Sequence, residues 1–278
     1  MVNQRIATDH AQERASEGIG ASASGLSVIV PAYNEKDGIG QVLEALAAVL
    51  PVLGLPAFEL IVVDDGSTDS TAGVVSCYQE VTLLRHRANR GYGAALKTGI
   101  RHAHHEWICI TDADGTYPAE AIPALLRSLA EGHCDMVVGA RVGKGAAIPL
   151  IRRPAKWAIG RLAHFVAGEP IPDLNSGLRV FRRSAVLRFL SVLPDGFSFT
   201  TTTTLGMLTN GYLVDYVPID YRPRVGRSKI RPIRDTLGFA QLVLRIALYF
   251  TPLKVFLPLS LLLFAGALAW AVFSKLVL

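Results

Sequence analysis

Short apolar runs alternate with stretches of helical period through the first half of the chain. Leu26-Ser-Val-Ile-Val30 is a β-branched run that breaks at Pro31-Ala-Tyr-Asn-Glu35, and Ile39, Val42, Leu43, Leu46 and Val49-Leu50 then recur at helical spacing. After the punctuation of Gly54 and Pro56, Phe58 to Val63 predicts a second strand running into Asp64-Asp65-Gly66-Ser67-Thr68-Asp69, where Ser67 or Thr68 is placed to cap a helix. Val81 to Leu84 predicts a third strand and Tyr92 to Ala103 a helix. Ile108 to Ile110 predicts a fourth strand, Pro118 to Ala130 a helix, and Met136 to Gly139 a fifth strand ending at Ala140-Arg141. Strands alternating with helices predict an α/β domain, a mostly parallel sheet with helices on both faces.

From Ile148 to Val166 the pattern changes. Arg152, Arg153, Lys156 and Arg161 alternate with Trp157, Leu162 and Phe165, which suits either an interfacial helix or an ordinary amphipathic surface helix. Asp173-Leu-Asn-Ser-Gly177 is a turn before a strand-like Leu178 to Phe181, and Ser184 to Leu190 predicts a helix. The run Thr200 to Thr204 is β-prone, but Leu205, Met207 and Leu208 favour a helix, and Leu213 to Tyr221 predicts strand. Residues 222–234, densely basic and broken by Pro and Gly, predict a loop. Residues 235–253 fit a juxtamembrane helix. The uncharged stretch Val255 to Ser274, inside a segment bounded by Lys254 and Lys275, is long enough to cross a bilayer. Basic residues crowd its N-terminal side, which orients the large domain, residues 26–221, toward the cytoplasm. Residues 1–25 are polar and without period, and predict a disordered tail.

Composition adds little until the carboxylates are considered. The 278 residues carry a formal charge of +5, which suits an anionic membrane surface or phosphorylated ligands and does not indicate nucleic acid. Cys77, Cys109 and Cys134 form no CxxC pair, so neither a disulfide framework nor a zinc site is expected. The N-terminus has no long apolar run of the signal-peptide kind.

The first, second and fourth strands all end in acidic turns, and in an open α/β sheet the carboxyl ends of strands are where ligands bind. Asp112-Ala113-Asp114-Gly115 places two carboxylates one residue apart. They repel each other unless a cation sits beside them, and a hard divalent ion, Mg²⁺ or Mn²⁺, itself holding a phosphate, would relieve that. Taken alone, this turn also suits a solvated cap for the helix after Pro118. His102, His104 and His105 suit a solvated helix end. The Gly91-Tyr-Gly93 run suits close packing of its helix on the sheet, with Asn89 and Arg90 bordering the ligand site.

Together Pro31-Ala-Tyr-Asn-Glu35, Asp64 to Asp69, Asp112 to Gly115 and Asn175-Ser-Gly-Leu-Arg179 resemble family 2 glycosyltransferases of the Rossmann-like GT-A fold. Among these the chain is most similar to polyisoprenyl-phosphate glycosyltransferases of the dolichol-phosphate mannose synthase kind. The resemblance implies that Pro31, Tyr33, Glu35, Asp64 and Asp65 hold the base and ribose of a nucleotide-sugar, GDP-mannose or a UDP-sugar. It implies that Asp112, Ala113 and Asp114 hold the sugar and the Mg²⁺ or Mn²⁺ on its diphosphate, and that Arg141 is the arginine closing the fifth strand at the catalytic centre. Arg224 and Lys229, with Arg153 a weaker candidate, would hold the phosphate of a polyprenyl acceptor, undecaprenyl or dolichyl phosphate; an ordinary basic cluster binding membrane lipid is the other reading of that loop. The pattern departs from the mannose synthases at Gly115-Thr116, where they carry a hydrophobic residue and a Gln that helps hold the metal. Thr116 is a weaker ligand, so water completes the shell or the donor sugar differs.

A phosphate acceptor is largely ionised at neutral pH and needs no strong general base. The tract Phe197 to Thr204 is consistent with that, because it offers threonines where a hydroxyl-activating family member carries a carboxylate. The rival readings are a membrane glycosyltransferase with a glycolipid or sugar-hydroxyl acceptor, a sugar-nucleotide pyrophosphorylase, which should carry a Gly-rich, Lys-bearing first loop that Pro31 to Glu35 does not provide, and a non-catalytic membrane scaffold. A homo-oligomer is left open.

Overall fold

The computed structural model describes residues 25–141, 160–161, 163–222, 248 and 252–277. Arg153, Arg224 and Lys229, most of the predicted interfacial and juxtamembrane helices, and nearly all of the basic loop lie outside the described residues.

Strands β1 (Leu26–Ala32), β2 (Phe58–Asp64) and β3 (Val81–Arg85) alternate with helices α1 (Ile39–Val49), α2 (Thr71–Val75) and α3 (Tyr92–His102). Next come β4 (Trp107–Ile110), α4 (Ile122–Glu131) and β5 (Met136–Ala140). After them the chain forms β6 (Arg179–Arg182), α5 (Arg183–Phe189), α6 (Phe199–Thr209) and β7 (Val214–Pro218). The seven strands lie in the order β3-β2-β1-β4-β6-β5-β7. All neighbours are parallel except at β6, which runs antiparallel to both β4 and β5. A sheet buried on both faces needs near-continuous apolar strands, and β1, β4 and β5 are buried along their whole length. Side chains alternate between two cores. Val28 and Val30 of β1 face α1 and α4, while Ile29 faces α3, α5 and α6.

Most predicted elements form as expected, including the helix over the threonine tract. Three expectations are corrected. Neither Ser67 nor Thr68 caps α2; Asp69 Oδ1 accepts the Thr71 N–H at 2.9 Å, while Ser67 Oγ accepts the N–H of Asn34. Asp112 does not cap the helix after Pro118, which opens with a 3₁₀ turn at Ala119–Ala121 whose N-cap is Pro118, with no side-chain cap. Gly91 and Gly93 leave room for the carbonyls of Asp195 and Pro194, not for the sheet; it is Gly99 that lies against Ile29 of β1.

The last helix, α7 (Pro252–Val277), contains the span Phe256–Ser274, 19 residues long and apolar enough to cross a membrane, none of it buried. At 1.5 Å per residue it is about as long as the hydrocarbon core is thick. Cys109 and Cys134 are core thiols, and burial pushes the Cys109 thiol up to about 12.

Candidate active site

The sheet order puts β2, β1 and β4 side by side and parallel, so their carboxyl ends share one edge. Asp64 closes β2 in register with Ala32 of β1, and the Asp112-Ala113-Asp114 turn follows β4 at the same edge. Two glycines allow the chain to close on this turn. A Cβ on Gly38 would sit 3.0 Å from the Ala113 carbonyl, and one on Gly177 would sit 2.6 Å from Asp112 Oδ2. The turn is thus sandwiched between the start of α1 and the Asn175-Ser-Gly177 loop.

The two carboxylates are individually oriented. The Tyr92 phenol, from the first turn of α3, donates to Asp112 Oδ1 at 2.9 Å. Burial, then the Asp112 charge, raise that phenol well above its ordinary pKa, so it remains a donor. Asp114 Oδ1 accepts from the Thr116 N–H at 3.1 Å and from the Thr116 hydroxyl at 2.6 Å. Thr116, expected as a weak metal ligand, therefore acts on Asp114. Gly115 takes a left-handed φ of 72°, which lets the turn fold back this way.

The first two acidic loops are stitched to each other. Asn34, itself left-handed, accepts from the Thr68 N–H at 2.8 Å, Thr71 Oγ1 accepts from the Glu35 N–H at 2.9 Å, and Asp64 Oδ1 accepts from the Ser67 N–H at 2.9 Å. Pro31 is buried beneath this pair of loops, while Tyr33 and Glu35 are half-exposed on it. Asp65, expected at the ribose, is buried at 3 % exposure, and its carboxylate accepts from the chain. Oδ1 takes the Arg90 N–H at 2.9 Å and lies 2.6 Å from His86 Nδ1, and Oδ2 takes the Gly91 N–H at 2.8 Å. His86 continues through Nε2 to Thr98 Oγ1 at 2.9 Å. This network fixes the 86–91 loop and the start of α3, and with it Tyr92.

Arg141 follows β5 at the same edge, and its guanidinium is bidentate to Asp173, Nε to Oδ2 at 2.7 Å and an Nη to Oδ1 at 2.9 Å. Burial would raise the Asp173 carboxyl, and the fork to Arg141 reverses this and holds it below the ordinary carboxylate range. The guanidinium also lies 5.3 Å from the ring centroid of Tyr221, which meets Tyr117 edge-on at 5.5 Å. The Tyr117 hydroxyl accepts from the Gly177 N–H at 2.7 Å. The Arg222 N–H donates to the Thr116 carbonyl at 3.0 Å, so the first residue of the basic segment is tied to the turn carrying both carboxylates.

Several residues here carry no sequence signal of their own. Tyr92 sat within a run explained by packing, and Asp173 within an ordinary turn. Arg179 closes the Asn175-to-Arg179 motif, but its role was not legible: fully buried, it donates to the Ser176 and Thr200 carbonyls and to the Thr204 hydroxyl. It ties the Asn175-Ser-Gly177 loop to α6, which explains why the threonine tract lies inside the protein. Thr201 adds a bond to Asn175 Oδ1 at 2.6 Å.

Residues 27–189, more than half of the chain, match the family Glycosyl transferase family 2. The chain belongs to this family. Its relatives include the dolichyl-phosphate hexose transferase of Haloferax volcanii, 29 % identical over 80 % of this chain and 94 % of that one. Another is the undecaprenyl-phosphate 4-deoxy-4-formamido-L-arabinose transferase of Klebsiella pneumoniae, 31 % identical over 58 % of this chain; the match spans 50 % of that longer protein. Among solved structures, the glucosyl-3-phosphoglycerate synthase of Mycobacterium tuberculosis, in complex with Mn²⁺, UDP and phosphoglyceric acid, superposes with a TM-score of 0.64. It is 19 % identical over 85 % of this chain and 81 % of that one, a likeness of GT-A-type fold.

In this family 2 chain the donor set at the strand edge suits a hard cation. Asp112 and Asp114 offer carboxylate oxygens, which is what Mg²⁺ and Mn²⁺ prefer. Among the described residues no third His, Cys, Asp or Glu joins them, so substrate oxygens and water would have to complete the shell. The tight approach of Gly177 gives a direct check of the geometry. Gly177→Ala should push the Asp112 carboxylate aside and lower the rate of sugar transfer by roughly 10²-fold. Initial rates together with thermal unfolding read it, the unfolding midpoint staying near that of the parent chain; an unchanged rate would detach Asp112 from catalysis.

Proposed function

We propose that this chain transfers a sugar from a nucleotide-sugar, GDP-mannose or a UDP-sugar, to a polyprenyl phosphate, undecaprenyl or dolichyl phosphate, at a membrane surface. The observation that carries this reading is the bond from Arg222 to Thr116. It starts the basic segment at the turn that bears Asp112 and Asp114, so Arg224 and Lys229 are only a few residues along the chain from the reacting centre. Arginine forks and a lysine point charge suit a phosphate, and α7 suits an acceptor confined to a bilayer. The names of the Haloferax and Klebsiella relatives, both transferases that act on polyprenyl phosphates, support the same acceptor. The basic flank of α7 favours a cytoplasmic catalytic domain with one membrane pass.

Within this reading Tyr33 and Glu35 line the base and ribose side, and the buried Pro31, Asp64 and Asp65 hold the loops behind them. Asp112 receives the sugar, its carboxylate oriented by Tyr92. Asp112 and Asp114 are the residues that would hold Mg²⁺ or Mn²⁺, which when bound offsets the charge on the departing diphosphate. Arg141, its guanidinium held by Asp173 and against Tyr221, presents an ion pair with Asp173 on the same edge. The acceptor phosphate is the nucleophile: one of its oxygens bonds to the anomeric carbon as the bond to the nucleoside diphosphate breaks, inverting configuration.

A sugar-hydroxyl acceptor would need a base. Thr203 and Thr204 are already bonded within the fold, and the two carboxylates nearby are poor proton acceptors, because Lys97 holds Asp195 and Arg141 holds Asp173 below the ordinary carboxylate range. The test is transfer from a panel of labelled nucleotide-sugars to polyprenyl phosphate, using membranes that hold the full chain with Mg²⁺ or Mn²⁺. One donor should give a labelled lipid that mild acid releases. Hydrolysis of a donor without any lipid product would overturn the acceptor assignment.

A further inference from the structure

Phe197 is 77 % exposed, yet the chain around it is held tightly. The Ala94 N–H donates to the Asp195 carbonyl at 3.0 Å, and Lys97 Nζ donates to Asp195 Oδ1 at 2.8 Å. Gly91 and Gly93 lie so close to the 194–196 backbone that neither has room for a Cβ. These contacts press one face of the Phe197 ring onto Tyr92, with centroids 5.7 Å apart and planes 16° apart, and leave the rest of the ring open. The other end of the same tyrosine touches Asp112 at 2.9 Å. An open apolar ring therefore stands one tyrosine's length from the carboxylate at the reacting centre.

We propose that Phe197 forms a binding subsite for the isoprene unit next to the phosphate of the lipid acceptor, an inference that rests on the polyprenyl-phosphate reading above. An acceptor phosphate attacking a sugar held at Asp112 brings its first hydrocarbon carbons to this distance from the carboxylate. Elsewhere on this edge the described groups around the turn are the Asp64 loop, the Arg141–Asp173 pair and the tyrosines Tyr117 and Tyr221, whose rings pack on each other and on Arg141. Phe197 supplies apolar surface where a prenyl phosphate turns from charged to hydrocarbon. A phosphate that lacks the hydrocarbon gains nothing from it.

The full chain in detergent micelles, assayed with a short, water-soluble prenyl phosphate, tests this without a bilayer contributing. Phe197→Ala should raise the acceptor KM about tenfold, from loss of apolar contact with part of one side chain. The donor KM and the acceptor-independent hydrolysis of donor should stay unchanged. Phe197→Leu, which keeps an apolar surface, should recover most of the loss. An acceptor KM equal to that of the parent chain would overturn the subsite. So would a rise in donor KM in step with it, which would place Phe197 on the donor side through Tyr92. A defect seen only with long acceptors in vesicles would assign Phe197 to membrane docking instead. If the parent chain hydrolyses donor but uses no prenyl phosphate, the functional reading and this subsite fall together; if it makes lipid product and both variants match it, only the subsite falls.

Discussion

Asp114→Asn should reduce sugar transfer by on the order of 10³-fold while the protein stays folded. The substitution is close to isosteric. The amide oxygen still accepts from the Thr116 N–H and hydroxyl, the two bonds that orient the native side chain, so the turn keeps its shape. What disappears is one of the two negative charges that make the turn a site for a divalent ion. Without it the diphosphate would have to leave with its charge less well compensated. Two measurements check this. Initial rates of transfer should collapse, and calorimetry should show that Mn²⁺ no longer strengthens binding of the nucleoside diphosphate. Near-normal transfer by the variant would remove Asp114 from the metal assignment. A loss of rate with metal-dependent nucleotide binding intact would move its role to the sugar.

Why this much of the site was legible before the structure is a matter of chain locality. β1, β2 and β4 are buried on both faces, so each announces itself as an apolar run, and each ends where its sequence turns acidic. Parallel pairing then places those ends together without any further information, as the register of Ala32 with Asp64 illustrates. The helix over Thr200 to Thr204 was legible only through the apolar Leu205, Met207 and Leu208 that follow the tract closely, because threonine itself favours strands.

What was not legible depends on residues far apart in sequence. β6 is four residues long and enters the sheet between β4 and β5, which reverses one strand in an otherwise parallel series. Nothing local to Arg179–Arg182 specifies that direction; it follows from pairing with strands met about 40 to 70 residues earlier. The clamp from Arg141 to Asp173 spans 32 residues, and the bond from Tyr92 to Asp112 spans 20. Motif spacing identifies carboxylates that are able to serve a ligand, but not which of them the fold itself uses. Asp64 and Asp65 are chemically the same and adjacent. Both are buried and bonded within the fold, Asp64 to the Ser67 N–H and to Arg85, and only the structure shows that Asp65 takes its hydrogen bonds from the 86–91 loop.

That difference makes Asp65→Ala the substitution with the largest expected effect on stability. Three donors lose their acceptor at once: the N–H groups of Arg90 and Gly91 and the ring of His86. Gly91 has a φ of 106°, a conformation any loosened loop would leave, and it immediately precedes α3. A buried donor left without a partner costs about 1 to 3 kcal/mol, and three neighbours relax together, so the sum is less than additive; about 3 kcal/mol is expected. For a domain of this size that lowers the unfolding midpoint by roughly 6 to 12 °C. Activity should fall as well, because Tyr92 is carried on the first turn of α3 and orients Asp112. Thermal unfolding without nucleotide separates a scaffold role from direct ligand contact. A residue that served only the ribose would leave the midpoint of the ligand-free protein unchanged and weaken nucleotide binding alone. A large fall in the ligand-free midpoint would instead show that the second aspartate of the Asp64-Asp65 pair builds the site from behind.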